Sequence, residues 1–463
     1  MKFWKTYTIF LLCVLLCSAC GANTQHSADN SHRDEESELI ISEAPEDAAI
    51  CKNCVGSFYE SENFPFPFPE ELEMIEQYGE DTLVMTLDQA LYDYDTMWQL
   101  LEDNFPFFPY IETELGVEWE NVKAVYREEM KTVAEQGIVS QEKFITVIDT
   151  CLAEFSSVGH LFTIQPQLYG RFLKEYEERE ASPYESIYTL INNAKSEQFY
   201  KSYAALSGVS ADENIGNVIA PVIETDFKNG IPYLRVPSFS GWTDDTYSQI
   251  LDFIAEVSGA EHLIIDIRGN RGGSTAAWMN GLVAPLISES LSYTSYMGVK
   301  TGALNLFMNP KLVVDQEQYT VHSSDRWVDF LPEKYVQYAQ EIDAIVESVS
   351  TILPLADHEP CQFEKVWLLV DERCYSASDQ FAHFCKTTGF ATLVGTFTGG
   401  NGIGAQPFVA ALPNTGLCIY YEAYLGFNYG GGCNGILGTA PDVYSSTSKN
   451  ALTVCLNAIA EAK

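Results

Sequence analysis

Two stretches of this chain are almost unbroken apolar runs that stop at a tight turn and lead straight into a helical pattern. One is His262–Ile267, followed by Arg268-Gly269-Asn270-Arg271-Gly272-Gly273; the other is Val366–Val370, followed by Asp371-Glu372-Arg373-Cys374-Tyr375-Ser376. A strand that is apolar on both faces has to be buried on both faces, as parallel strands covered by helices are. The surrounding pattern agrees. Tyr233–Val236 reads as a strand, and Tyr247, Ile250, Leu251 and Ile254 mark a helix. Further helices are expected from about Thr275 and over about Ser378–Lys386, and Leu393-Val394-Gly395 begins another strand. This alternation predicts an α/β core with helices packed on a sheet.

Upstream the period is helical. Leu87, Leu91, Tyr94, Trp98 and Leu101 recur at three- and four-residue steps, as do Val122, Val125, Tyr126 and Met130. Ser140 reads as an N-cap before Phe144, Val147, Ile148, Cys151, Leu152 and Phe155. The expected organisation is a signal peptide over 1–19, a lipidated Cys and acidic tether over 20–63, a helical N-terminal domain over 64–164, a connecting segment over 165–229 and an α/β core over 230–463. The run Phe64-Pro65-Phe66-Pro67-Phe68-Pro69 is expected to pack as an extended strap, because proline cannot sit inside a helix or a central strand.

The first residues read as an export signal. Lys2 and Lys5 supply positive charge, and Phe10–Leu16 is apolar but too short to span a bilayer as a mature helix. Ser18-Ala19-Cys20-Gly21 then resembles a bacterial lipoprotein cleavage site, although Cys17 stands where a Leu is usual. An ordinary secretory signal cleaved nearby is the alternative. The expected location is extracytoplasmic, with the membrane as partner through a lipid on Cys20. Nucleic acid is not expected as a partner, because 26 Lys and Arg against 65 Asp and Glu leave a net charge of −39, which repels phosphate backbones. Of 12 cysteines, Cys13, Cys17 and Cys20 lie at or before the cleavage point. The remainder is odd, so at least one is unpaired within the chain. Cys51 and Cys54 suit a local disulfide better than a zinc site, which lacks a second C-x-x-C or His pair.

Ser376 falls at a helix N-terminus, where free N–H groups and the helix dipole favour developing negative charge. A capping Ser has the same position, and the sequence alone leaves both readings open. The glycine turn at 269–273 either serves the backbone or aims the Gly272 N–H at an oxyanion. It lacks the G-x-G-x-x-G of a dinucleotide loop. Among the seven His, composition singles out none.

Taken together, these segments resemble the C-terminal processing (tail-specific) protease family of serine peptidases, closer to its tricorn-core and interphotoreceptor retinoid-binding protein-like branch. The resemblance is carried by Leu263–Ser274, by Trp367–Asp371 with Ser376-Ala377-Ser378-Asp379, by Gly395–Gly400 with Thr398, by Ala440-Pro441-Asp442-Val443, and upstream by Asp95–Phe105 and Leu152–His160. It implies a crotonase/ClpP-like ββα core behind an N-terminal helical domain, and a peptide or protein substrate. It also implies Ser376 as nucleophile, His160 as general base and the N–H groups of Gly272 and Ala377 as the oxyanion hole, with no metal or organic cofactor. Two departures stand out. Asn401 occupies the position of the processing branch's catalytic Lys, and Gly432-Cys433-Asn434-Gly435-Ile436 lacks the supporting Glu of the tricorn-like branch. No PDZ domain is found between 165 and 230. Glu422, in the expected strand Ile419–Tyr424, is the candidate for orienting His160; the alternative is a plain solvent-facing strand residue. A His base implies an activity limb at roughly pH 6–7. The rival expectation is a surface binding protein that keeps the fold without turnover.

Overall fold

Both apolar runs become central strands of one six-stranded sheet. The structure is a computed structural model, in which residues 83–208, 220–312, 314–315, 319–329, 341–356, 358–428 and 432–461 are described. The sheet strands lie side by side in chain order: β1 (Glu224–Lys228), β2 (Ile231–Arg235), β3 (His262–Asp266), β4 (Lys365–Val370), β5 (Thr392–Gly395) and β6 (Val443–Tyr444). β1 is antiparallel to β2, and every other pairing is parallel. Leu263, Ile265, Leu368 and Val370 face a core that includes Ile250, Ile254, Phe381 and Phe384. Ile264, Trp367, Leu369 and Val394 face the other way, onto Cys455 and Ile459 of the helix Ala451–Glu461. Because both faces are covered, neither face of these strands needs polar residues. The fold is α/β.

Three smaller antiparallel sheets complete the strand inventory among the described residues, one of them only the pair Val84–Thr86 and Ile138–Ser140. Of the other two, one contains Leu291–Val299, Tyr319–Ser323, Ala344–Ile352 and Tyr424–Phe427; the other contains Phe162–Thr163, Phe408–Ala411 and Cys418–Tyr421. The last is short but consequential. Tyr420 pairs with Phe162 and Ile419 with Thr163, so the chain just after His160 is zipped to the chain just before Glu422.

The helical half forms as its periodicity predicts. α1 (Leu87–Asn104) starts at Thr86, whose hydroxyl accepts the Gln89 N–H while the Gln89 side chain accepts the Thr86 N–H, a capping box. α2 (Trp119–Val133) follows, then α3 (Gln141–Ala153), capped by Ser140 accepting from the Lys143 N–H. Tyr94, Trp98 and Leu101 of α1 and Phe144, Val147, Ile148, Cys151 and Leu152 of α3 are buried. α2 is different. Met130 is buried, whereas Val125 is 53% exposed, so the helix offers a narrower apolar stripe than its periodicity suggested. Helices Pro166–Tyr176, Tyr184–Ile191 and Ala194–Leu206 occupy the weakly patterned stretch that follows. Their buried residues share one apolar cluster with α1, α3 and the strands of the smaller sheets over 297–299, 344–346 and 408–427, so the helical half and those smaller sheets meet across a common core.

Asp93 ties the two together. It is fully buried in α1, and its carboxylate accepts from the N–H groups of Asn414 and Thr415, from Asn414 Nδ2 and from the Thr415 hydroxyl, at 2.8–3.1 Å. Burial pushes its pKa up to about 6 despite these donors. An Asp93→Ala variant leaves several buried donors unpaired and is expected to lose about 3 kcal/mol or more of stability, read as a lower urea midpoint at unchanged slope.

Cys151, Cys361, Cys374, Cys385, Cys418, Cys433 and Cys455 are free and buried. The signal, the Cys20 site, the tether, the Cys51–Cys54 pair and the Phe-Pro strap lie outside the described residues.

Candidate active site

β3 and β4 end side by side, and the two turns that leave them are stitched together. The Gly269 N–H donates to Asp371 Oδ1 at 2.9 Å, the Tyr375 N–H to the Asn270 carbonyl at 3.2 Å, and the Ser378 hydroxyl to the same carbonyl at 2.5 Å. Gly272 is pressed so closely onto the second turn that a Cβ there would stand 2.6 Å from the Tyr375 carbonyl oxygen and 3.0 Å from Ser376 Cβ; its φ of +95° also favours glycine.

Ser376 sits at the N-cap of the helix α4 (Ala377–Thr388) with φ 58° and ψ −126°, a backbone state that costs a non-glycine residue energy. Its side chain makes no cap hydrogen bond, so the hydroxyl is not spent on ending the helix. Its N–H is anchored on the Gly400 carbonyl at 2.9 Å. Ala377 is the first helical residue, and its N–H has no partner within the helix. The Gly272 N–H is already donated to Asn270 Oδ1 at 2.8 Å, so it reaches an oxyanion only by sharing or exchanging that bond.

His160 arrives from the helical half on a tight 3-10 turn, Val158–His160. Its ring packs edge-on against Tyr375, the residue before Ser376, with centroids 4.9 Å apart, and against Tyr420 at 6.1 Å. The ring is buried and its Nδ1 has no hydrogen-bond partner. Burial drives its pKa down to about 3. His383 lies two turns down α4, buried beside Tyr293, and His322 pairs with Glu347 at 3.0 Å.

Glu422 is not a solvent-facing strand residue. The strand ends at Tyr421, and Glu422 turns inward to 2% exposure. Its N–H donates to the Gly159 carbonyl at 2.6 Å, which sets it against the His160 turn. Oε1 accepts from the Tyr424 N–H at 2.9 Å, and Oε2 is buried without a partner. Burial pushes this carboxyl up to about 8. His160 and Glu422 therefore each hold an unsatisfied buried polar atom, on backbone segments that hydrogen-bond to each other.

Three residues have roles that sequence patterns did not single out. Tyr375 packs on His160 and donates its hydroxyl to the Ser157 carbonyl at 2.9 Å. Asp379, fully buried in the first turn of α4, accepts from Thr398, Gly402, Asn434 and Thr439 and so gathers the loop 398–402 and the turn 434–439 beneath Ser376. Asn434, in the stretch that lacks a Glu, also accepts the Gly402 and Ile403 N–H groups. The clue to Asp379 was its place in the Ser376-Ala377-Ser378-Asp379 motif that carries the resemblance, which gave it no role of its own. Among the described residues no cluster of His, Cys, Asp and Glu could hold a metal ion.

Residues 230–445 match the family described as peptidase family S41. No curated protein matches the chain. Solved structures similar to it include a protein from Parabacteroides merdae described as a candidate peptidase, at 16% identity over 80% of this chain and 96% of that one, with a TM-score of 0.48. Mature CPAF is 14% identical over 81% and 96%, with a TM-score of 0.46. A lipoprotein from Streptococcus agalactiae is 11% identical over 80% and 96%, with a TM-score of 0.41.

Proposed function

We propose, on the premise that residues 230–445 are a peptidase family S41 domain, that this chain is an extracytoplasmic serine peptidase acting on peptides or on the C-terminal segments of proteins. A peptidase follows from the family; the serine type, the residues and the location are the proposal. Ser376 attacks the substrate carbonyl while His160 takes its proton. The tetrahedral oxyanion is received by the Ala377 N–H, with the Gly272 N–H released to it from Asn270. Glu422 supports the imidazolium once one of the two side chains turns to join Oε2 to Nδ1. The observation that carries the reading is Ser376 itself: a strained helix-start serine with its hydroxyl uncommitted, adjoining the residue on which His160 packs.

A fluorophosphonate probe tests it directly. It is expected to label Ser376, identified by peptide mass mapping, and to fail with Ser376→Ala. Intact wild type with no label after prolonged exposure would leave the binding-protein alternative in place.

The anchor belongs to the same proposal. Ser18-Ala19-Cys20-Gly21 supports lipidation at Cys20, and among the described residues no helix is long and apolar enough to cross a membrane. Cys20→Ala is expected to leave the membrane fraction or to stay uncleaved; a wild-type mature N-terminus other than a lipid-modified Cys20, by mass spectrometry, overturns this.

A further inference from the structure

The turn that carries His160 is under strain and is held from outside. Ser156, Ser157, Gly159 and His160 all have φ between 53° and 61°, and three of these are not glycine. A side chain is excluded at Gly159, where a Cβ would stand 2.6 Å from the Phe105 ring. Such a run of left-handed residues persists only where its surroundings over-determine it. Two of the bonds that do so come from residues next to Ser376 or to its backbone partner. The Gly159 N–H donates to Asn401 Oδ1 at 2.8 Å, and the Ser157 carbonyl accepts the Tyr375 hydroxyl at 2.9 Å. Tyr375 precedes Ser376 in sequence, and Asn401 follows Gly400, whose carbonyl anchors the Ser376 N–H.

Asn401 is built for this task. It is 8% exposed and adopts φ 57°, which Asn tolerates better than most residues. Gly435 leaves it room, since a Cβ there would lie 2.7 Å from Asn401 Oδ1. The residue thus spans from the nucleophile loop to the base turn by one side-chain bond across 242 positions of sequence.

We infer that Asn401, with the Tyr375 hydroxyl, is a positioning clamp that fixes the His160 turn against the Ser376 turn. The inference rests on the proposed roles of Ser376 and His160. The clamp touches no reacting atom. Its loss misplaces the base, and a misplacement near 1 Å costs roughly 10²-fold in rate.

The test uses the full-length protein with Asn401→Gly, which accepts the backbone angle but removes the acceptor, Asn401→Asp, which keeps an acceptor at the same place, and Tyr375→Phe, which keeps the ring on His160 but removes the hydroxyl. Expected are a kcat loss of roughly 10²-fold for Asn401→Gly with KM changed far less, recovery of most of it in Asn401→Asp, and a smaller kcat loss for Tyr375→Phe. Carbethoxylation of His160 by diethyl pyrocarbonate, followed by mass mapping, should be about tenfold or more faster in Asn401→Gly, because the turn no longer holds the ring buried. This readout needs no turnover, so it separates failure of the clamp from failure of the Ser376–His160 mechanism, which the fluorophosphonate probe reports. If Asn401→Gly melts too low to assay, Tyr375→Phe carries the same two readouts. Wild-type kcat together with wild-type His160 reactivity in Asn401→Gly, or in Tyr375→Phe where that variant stands in, overturns the inference, as does an Asn401→Asp protein no better than Asn401→Gly in both readouts.

Discussion

Ser376→Ala is expected to lower kcat on a peptide substrate by roughly 10³-fold or more, and His160→Ala to do the same. The double variant should lose little beyond either one, because a nucleophile and its base act as a unit; once one is gone the other has nothing left to do. A residual rate should survive from the oxyanion donors and from binding alone. Ser376→Ala should melt near wild type, because Ser376 gives up a hydroxyl that caps nothing, whereas His160→Ala empties a ring site packed against Tyr375 and Tyr420 and should melt somewhat lower. Additive losses in the double variant, with each single variant still catalysing well above the background, would mean that the two residues do not share a step. Full activity in Ser376→Ala would end the mechanism. Full activity in His160→Ala alone would leave Ser376 standing and send the search for its base to His383 and Glu422.

Glu422→Gln should change both the pH profile and the stability. The limb at roughly pH 6–7 expected of an ordinary His does not survive the burial of both groups. His160, near 3, is neutral and able to accept a proton through most of the accessible range. Glu422, near 8, is still protonated at neutral pH and becomes a carboxylate able to stabilise the imidazolium only above that. The wild-type kcat/KM is therefore expected to rise through about pH 8, and Glu422→Gln to remove that rise. A profile unchanged by the substitution would take Glu422 out of the mechanism. For stability, the folded pKa of Glu422 lies above its ordinary 4.5, so the folded state keeps a proton that the unfolded chain has lost. This contribution is complete below pH 4.5 and declines as the pH rises to about 8. His160 has the opposite sign: its folded pKa lies below 6.5, so its contribution is complete above 6.5 and is lost as the pH falls toward 3. The unfolding free energy of Glu422→Gln should therefore gain on wild type progressively between pH 4.5 and 8, by an amount on the order of a few kcal/mol at most, read from urea midpoints across that range.

What could be read in the sequence was whatever depends on neighbours along the chain. The runs before Gly269 and Asp371 had to be doubly buried strands, because that demand is local, whereas the close approach of Gly272 to Tyr375 is made across the fold and left the glycine turn open to two readings. Ser376 was visible because its place before a helical pattern is local too. Glu422 was visible as a candidate, with a solvent-facing strand residue as the alternative; its burial became visible only with the fold, where the strand ends at Tyr421 and the Glu422 N–H meets the Gly159 carbonyl. Asn401 could be read only as a missing lysine. Its partner, Gly159, is 242 residues away, and the Ser157 carbonyl that receives the Tyr375 hydroxyl is 218 away. No periodicity encodes bonds of that reach. Val125 shows the converse error, a residue with the right spacing on a helix whose apolar stripe is narrower than its pattern.

The seven buried thiols provide a set of clocks. A thiol reagent in solution can reach Cys151 only when α3 opens, Cys374 and Cys385 only when the Ser376 turn and α4 open, and Cys455 only when the last helix lifts from the sheet. At low reagent concentration, each alkylation rate then measures the free energy of one regional opening, and at high concentration its rate. The helical half and the sheet half should show these clocks running at different speeds, and the differences would map which elements open first.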